Sequence, residues 1–308
     1  MTQPILSSNG VHRLHHTFFY PLGDIKATLL IVHGMCEHSG RYAEFAQFLA
    51  DNGILVATYD QLGHGQTAKD MNELGFIDEK HPVQALCKDM VIMADKLKTF
   101  ATDVPHFVMG HSMGSLVVRT VLAHHASQFT GAIIMGTGNG VGMLGTLASP
   151  ALALLNTLYP KLKNERLAWG LNQYMLNQIR SPISASPFAW LAENVNAVKA
   201  FEADPLCGFT FTNNGFIALY TLMKKATQDS WYQSCGSDFG VLLVSGKDDP
   251  VGNMGVDVAL LHDKLLRHQI ATTSLLYPNM RHEPLHELNK EQVYQDVLSW
   301  LNARIAKA

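Results

Sequence analysis

The chain has 308 residues, 47% of them hydrophobic, and carries 23 basic against 26 acidic side chains for a formal net charge of −3. That length can fill one large core, or a core with an inserted subdomain, and the interspersed charges form no basic stripe of the kind nucleic acid requires. Cys36, Cys87, Cys207 and Cys235 lie far apart with no Cys-x-x-Cys pair. This argues against a disulfide framework or a cysteine zinc site and predicts free thiols in a reducing, cytoplasmic setting. The first residues show no basic segment followed by a long apolar one, so no secretory signal is expected.

Asn9-Gly10 between two short extended runs is a hairpin signal. A strand is expected over residues 12–20, followed by a turn at Pro21-Leu22-Gly23-Asp24. His12 and His16 share one face of that strand and His15 the other, so the three do not converge on a metal. Ala27–Val32 is continuously apolar, the pattern of a strand covered on both faces. The next helix sets Tyr42, Phe45, Phe48 and Leu49 on one side and stops at Asn52-Gly53. Ile54–Tyr59 reads as a strand; Pro82 then opens a helix with Val83, Leu86, Met90, Met93 and Leu97 at three- and four-residue steps. Residues 106–109 and Gly131–Met135 are further strands, separated by a helix carrying Leu116, Val117, Val118, Val121 and Leu122. Such alternation implies right-handed crossovers and a mostly parallel sheet flanked by helices.

From Gly138 to about Gly236 helical patterns run on without a strong strand, and the glycines in 138–145 look like a hinge. The segment 138–236 is therefore expected to be a helical cap inserted into a core made of residues 1–137 and 237–308. Alternation resumes with a buried strand at Gly240–Gly246, a helix over 254–268 and a last strand at Ala271–Tyr277. Pro284 is expected to open a terminal helix carrying Leu285, Leu288, Val297, Leu298 and Leu301.

The chemistry points to Gly110-His111-Ser112-Met113-Gly114, which joins the strand at 106–109 to the helix after it. So abrupt a turn needs residues without side chains at 110 and 114 and leaves Ser112 at its apex beside a helix N-terminus, a place suited to a nucleophile. Serine needs a base to take its proton and a carboxylate to orient that base, and open sheets present such groups just beyond the carboxyl ends of strands. Asp248 and Asp249 follow one strand directly, and His282 follows the last one. The oxyanion donors expected are the backbone N–H of Met113 and one from the loop after Ala27–Val32, with Met35 the first choice. His282-Glu283-Pro284-Leu285-His286 formally matches the H-E-x-x-H zinc motif. Pro284 disfavours helix at Glu283, so the two histidines should not share the helix face that zinc needs, and His286 is expected at the surface of the terminal helix.

Taken together, His33-Gly34-x-x-Glu37-His38-Ser39-Gly40-Arg41-Tyr42, Asp60-x-x-Gly63-His64-Gly65, Gly110-His111-Ser112-Met113-Gly114, Ser245-Gly246-x-x-Asp249 and His282-Glu283 resemble the monoacylglycerol lipase and lysophospholipase branch of the α/β hydrolases. The resemblance runs from about residue 10 to 302. It implies the α/β-hydrolase fold with a helical cap, Ser112, Asp249 and His282 as triad, and Met35 and Met113 as oxyanion donors; no cofactor or metal is expected. It also implies that Glu37 and Arg41, with His111, lie at the polar end of the substrate pocket, or that the first two only brace their loop as an ion pair. Three positions depart from the pattern: Cys36 stands where glycine is frequent, Leu62 where arginine is, and Thr67 where serine is.

The expected function is hydrolysis of a carboxylic ester of monoacylglycerol or lysophospholipid type through an acyl-enzyme. Small soluble esters, amides or peptides, and a catalytically idle binding protein are the alternatives. No residue from 131 to 159 is charged, and 141–159 has the length of a membrane span. Its glycines, Pro150, Ser149 and Asn156, and its place between nucleophile and acid, favour a buried strand and then an apolar cap. With Trp169, Tyr174 and Trp190, that cap is expected to take the acyl chain and to touch a membrane surface transiently.

Overall fold

The structure, a computed structural model, describes residues 4–140, 142–179, 186–228 and 230–307, with the backbone alone for 142–148. The strands are β1 (Ile5–Leu6), β2 (Arg13–Leu14), β3 (His16–Phe19), β4 (Ala27–Val32), β5 (Ile54–Tyr59), β6 (His106–His111), β7 (Gly131–Met135), β8 (Gly240–Gly246) and β9 (Ala271–Tyr277). Around them run α1 (Ala43–Asp51), α2 (Pro82–Lys98), α3 (Met113–His125), α4 (Gly142–Leu158), α5 (Glu165–Gln178), α6 (Val195–Ala203), α7 (Asn213–Ala226), α8 (Ser230–Gln233), α9 (Val256–Arg267) and α10 (Lys290–Ile305). β1 and β2 form the hairpin that Asn9-Gly10 signals, with Gly10 at φ +73°.

The other seven strands make one sheet in the order β3-β5-β4-β6-β7-β8-β9, with only β3 antiparallel to its neighbour. Every residue of β4, β5, β7 and β8 is buried. That explains their unbroken apolar runs, since both faces are covered. Successive side chains leave on opposite faces: Leu30, Val32, Val108, Ile134 and Leu243 pack beneath α2, α3 and α9. Leu29, Ile31, Met109, Ile133 and Val244 pack beneath α1 and α10. The connection from β4 to β5 runs one way and that from β5 to β6 steps back over β4. The loops after β4 and β6 therefore diverge from adjacent strands, the crevice where sheets of this kind bind ligands.

The helices between β7 and β8 pack in two manners. Helices α7 and α8 lie on α3, and Phe216, Leu222, Ala226, Trp231 and Tyr232 join the core on that face. Arg119 of α3 is buried with them; it sits 5.6 Å from the Trp231 ring and donates to Thr137 Oγ1 and the Gly138 carbonyl, where the insertion leaves the core. By contrast α4, α5 and the turn between them leave large apolar side chains outside: Leu154, Leu158, Tyr159, Leu162, Trp169 and Tyr174 are all exposed. No helix among the described residues is long and apolar enough to cross a membrane.

The carboxyl end of the chain differs from the expectation. Pro284 starts only a short 3-10 turn, Pro284–His286, and the terminal helix begins six residues later at Lys290. Glu287 intervenes in an extended conformation because its buried carboxylate collects the backbone N–H groups of Arg281, Glu193 and Asn194. A long-range anchor thus overrides the local helix-start signal. Leu288, assigned above to the apolar stripe of that helix, is exposed, and His286 is half-buried with its ring 6.3 Å from that of Tyr42.

The turn between β6 and α3 explains its two glycines. A Cβ on Gly114 would stand 2.1 Å from the Val32 carbonyl oxygen, and one on Gly110 would stand 2.4 Å from that of Gly114. Gly114→Ala is therefore expected to force α3 away from β4 and to cost about 3 kcal/mol or more, read as a lower urea midpoint; an unchanged midpoint would contradict this packing.

Candidate active site

Ser112 caps the N-terminus of α3 with φ +51° and ψ −118°, a conformation costing a non-glycine residue on the order of 1–3 kcal/mol. Its N–H is tied to the Met135 carbonyl at 2.9 Å, which helps the sheet hold the strain. Ser112 and His282 line one cavity of about 220 Å3 at the carboxyl ends of the strands, beneath the cap. Behind His282, its Nδ1 lies 3.0 and 3.2 Å from the two oxygens of Asp249. Asp249 has no exposure and also accepts from Ser245 Oγ (2.9 Å) and the Val251 N–H (2.8 Å). Burial pushes its pKa up, but His282 and these donors outweigh that and bring it below the ordinary carboxylate value. Asp248, the other candidate, is exposed.

The N–H of Met113 is the first in α3, where no intrahelical acceptor exists, and among the described residues the Met35 N–H has no acceptor either. The Met35 loop is braced from two sides. Asp60 Oδ1 accepts from the Ser39 N–H and its Oδ2 from the Gln66 N–H. A Cβ on Gly65 would strike that carboxylate at 2.1 Å, so the Asp60-x-x-Gly63-His64-Gly65 motif is a lock on the neighbouring loop. Cys36, the departure from glycine, sits at φ +56°, the left-handed region glycine adopts without cost. Leu62 is fully buried, and Thr67 Oγ1 bonds the Asp60 carbonyl, so both departures serve loop anchoring.

Glu37 and Arg41 come together in a buried network. Glu37 Oε1 accepts from the Gly34 N–H (2.6 Å), Tyr42 Oη (2.8 Å) and His111 Nδ1 (3.1 Å), while Oε2 accepts from Arg41 (2.6 Å). Arg41 also makes a two-point contact with Glu283 at 2.7 Å on each side, and Phe201 covers its guanidinium at 4.9 Å. Burial raises the Glu283 pKa, yet Arg41 outweighs it and holds the group at about 2, against 4.5 for a free carboxyl. Glu37 is likewise held well below the usual range by Arg41 and His111 against the opposing effect of burial. Glu37, His111 and Glu283 line the cavity floor, but both ring nitrogens of His111 are already engaged, Nε2 with the His282 carbonyl at 3.1 Å.

Sequence reasoning did not assign the roles of Glu283, Tyr42, Ser245 and Arg281. Arg281 is buried beside the histidine and pairs with Glu193 at 2.6 Å. The one available signal was charged residues flanking His282 where an apolar strand ends. The walls above the floor are Trp169, Phe188, Trp190, Leu191, Phe209 and Phe211, with Trp190 5.2 Å from the His282 ring. Tyr174 and the described α4 side chains are not among them. Of the groups expected around the acyl chain, Leu154, Leu155, Leu158 and Tyr174 are exposed, while Leu152 of α4 packs against the core.

Among the described residues one cluster has metal-ligand chemistry: His38, Asp204 and Cys207, with ligand atoms within 4.8 Å of one another. His38 Nδ1 accepts from the Gly40 N–H at 3.2 Å, so Nε2 carries the proton and donates it to Asp204 at 2.9 Å. A protonated ring nitrogen offers no lone pair to a metal. With the Gly208 N–H bonded to the Cys36 carbonyl, the His38–Asp204 pair ties the Met35 loop to the segment after α6.

A seven-stranded sheet with a strained serine on the strand-to-helix turn defines an α/β hydrolase. The family model described as serine aminopeptidase, S33, matches residues 23–289, and the chain belongs to that family. It is 31% identical over 307 residues to the monoglyceride lipase homolog of Monkeypox virus, covering 97% of this chain and 100% of that one. With the monoglyceride lipase of Mus musculus it shares 26% over 309 residues, 94% of this chain and 87% of that one. Among solved structures, a thermostable carboxyl esterase from Bacillus coagulans in complex with glycerol aligns with TM-score 0.90 at 24% identity, covering 99% and 98% of the two chains. A soluble variant of the monoglyceride lipase from Saccharomyces cerevisiae aligns with TM-score 0.72 at 20% identity, covering 99% and 96%.

Removing Arg41 would leave two buried carboxylates facing each other. Arg41→Ala is expected to cost about 3–5 kcal/mol in urea unfolding, with Arg41→Lys recovering only part because it cannot make the two-point contact. The pH dependence has a definite sign. Because the folded Glu283 pKa lies below the free value, its stabilisation is complete above 4.5 and disappears as pH falls toward 2. The urea midpoint should drop over that interval and drop less steeply in Glu283→Gln; equal slopes would contradict the pairing.

Proposed function

We propose that this chain hydrolyses long-chain acyl esters of glycerol type through a covalent acyl-serine intermediate. It is a carboxylic ester hydrolase. The observation that carries the reading is the common cavity of Ser112 and His282, with buried Asp249 behind the histidine and aromatic walls above. Ser112 Oγ attacks the ester carbonyl while His282 Nε2 takes its proton, and Asp249 holds the ring in that tautomer and stabilises its charged form. The carbonyl oxygen becomes an oxyanion facing the Met35 and Met113 N–H groups, each donor of this kind contributing on the order of 3 kcal/mol. Collapse breaks the bond to the alcohol oxygen, which leaves with the proton from His282. Water, deprotonated by the same histidine, then attacks the acyl carbon and releases the carboxylic acid and free Ser112.

The relatives named monoglyceride lipase support this substrate class. So does the floor of the cavity, where each Glu283 oxygen has a single partner and keeps lone pairs for the hydroxyls of a glycerol-type alcohol. Both carboxylates there are already paired with Arg41, which favours a neutral hydroxyl over the ammonium group that an aminopeptidase substrate would bring. The outward apolar face of Leu154, Leu158 and Leu162 suits shallow contact with the lipid surface that supplies such a substrate.

Each further methylene buried in the acyl pocket should add up to about 0.8 kcal/mol, roughly fourfold, so kcat/KM is expected to rise with acyl length across a series of glycerol monoesters. A flat or falling series would favour small soluble esters. A fluorophosphonate probe should label Ser112 and not Ser112→Ala, whose turnover should fall by on the order of 10⁴-fold or more; labelling elsewhere overturns the nucleophile. Leu158→Asp with Leu162→Asp should slow hydrolysis of vesicle-borne substrate while sparing a short soluble ester, and an equal effect on both would remove the surface role.

A further inference from the structure

Three buried histidines stand at the carboxyl ends of β4, β5 and β6, His33 and His64 on the loops and His111 as the last residue of its strand, and their partners set their charge. His33 donates from Nδ1 to the Gly34 carbonyl at 2.8 Å and accepts at Nε2 from the Gln61 N–H at 3.0 Å, one donor and one acceptor, as a neutral ring requires. His64 donates from Nδ1 to the Leu62 carbonyl at 2.9 Å, and its Nε2 has no partner among the described residues. Burial drives the pKa of His33 down and that of His64 to about 3, consistent with neutral rings. His111 is different. Its Nδ1 faces the Glu37 carboxylate and its Nε2 the His282 carbonyl, both at 3.1 Å, and neither partner has a proton to give. Glu37 already receives three other donors, so its carboxylate is ionised.

We propose that His111 is an imidazolium and acts as a positioning residue: its Nε2–H, fixed by Glu37 across the ring, holds the backbone of His282 and so places the base over Ser112. Every charged or titratable group around it fits. From the loop after β4 and the turn behind it come Glu37, Arg41 and Tyr42; from the segment after β9 come His282, with its ring 4.8 Å away, Glu283 and His286. His286 is pushed down to about 4 by burial and stays neutral, and Tyr42 is pushed well above its usual value. Without a charge on His111 the network holds two carboxylates and one guanidinium; with it, the charges balance. Burial alone would lower the His111 pKa, but Glu37, Glu283 and the His282 carbonyl outweigh it and hold it above the ordinary histidine value. Loss of that proton would set a nitrogen lone pair against the His282 carbonyl oxygen at 3.1 Å and push the base out of register.

The inference rests on the triad proposed above for its catalytic consequence, but its charge state is testable apart from turnover. In protein labelled with 15N-histidine, the ring signals assigned to His111 by their loss in His111→Gln should show both nitrogens protonated at neutral pH, in wild type and in Ser112→Ala alike. A single protonated nitrogen would overturn the proposal. In kinetics with a glycerol monoester, His111→Gln should lower kcat on the order of 100-fold, the scale of a small misplacement of a reacting group, with KM nearly unchanged. The wild-type enzyme should lose kcat above the pH at which the second ring proton leaves in the spectrum, and Glu37→Gln should move both events to lower pH together. An alkaline limit that stays in place in Glu37→Gln while the ring titration moves would overturn the positioning role. Absence of any ester hydrolysis would sink the function proposed above and leave the imidazolium to be decided by the spectrum.

Discussion

The Glu37 carboxylate is the contact on which the rest of the site depends. It is nearly inaccessible to solvent, yet it gathers a backbone N–H from the Met35 loop, a phenol from the following turn, a guanidinium one helical step on, and the ring beside Ser112. These four donors come from the ends of two adjacent strands, β4 and β6, and Arg41 extends the chain to Glu283 beside His282 on the loop after β9. A buried ionised group of this kind is tolerable only when its lone pairs are filled. Its desolvation therefore enforces the geometry: any loop that moved away would strand a charge.

The sheet explains why those loops meet at all. Strands β5, β4 and β6 are neighbours in that order, so the connections from β4 and β6 leave in opposite directions and open a crevice between them. Close packing at Gly110 and Gly114 brings α3 against the β4 carbonyls and turns its first N–H groups toward that crevice. The cap then closes it with aromatic rings while its anchoring helices α7 and α8 merge with the core on α3.

Much of this was legible in the chain. The buried strands announce themselves as unbroken apolar runs, and the glycine spacing at 110 and 114 fixes the sharp turn because only one geometry needs both. Places just beyond strands offered Asp248, Asp249 and His282 as candidates, and only the family resemblance chose Asp249 over Asp248. What local reading misjudged were features decided at long range. Pro284 carries a valid helix-start signal, but Glu287 is claimed by three backbone donors, two of them about ninety residues away in the chain. The apolar residues of α4 and Tyr174 read as a pocket lining, since periodicity gives a helix an apolar face without saying what that face meets. Glu283 looked like an ordinary loop carboxylate because its partner, Arg41, is 242 residues distant. His111 gave no local hint of its two acceptors.

The balanced charges beneath the cavity also bear on how substrate arrives. Two anions and two cations packed within one hydrogen-bonded group cancel beyond short range, so the mouth of the site projects little field into solvent. Encounter is then governed by apolar contact and diffusion, and its rate should hardly respond to ionic strength. A catalyst for uncharged, surface-bound molecules loses nothing by this, whereas one for ionic metabolites would forgo its means of attraction.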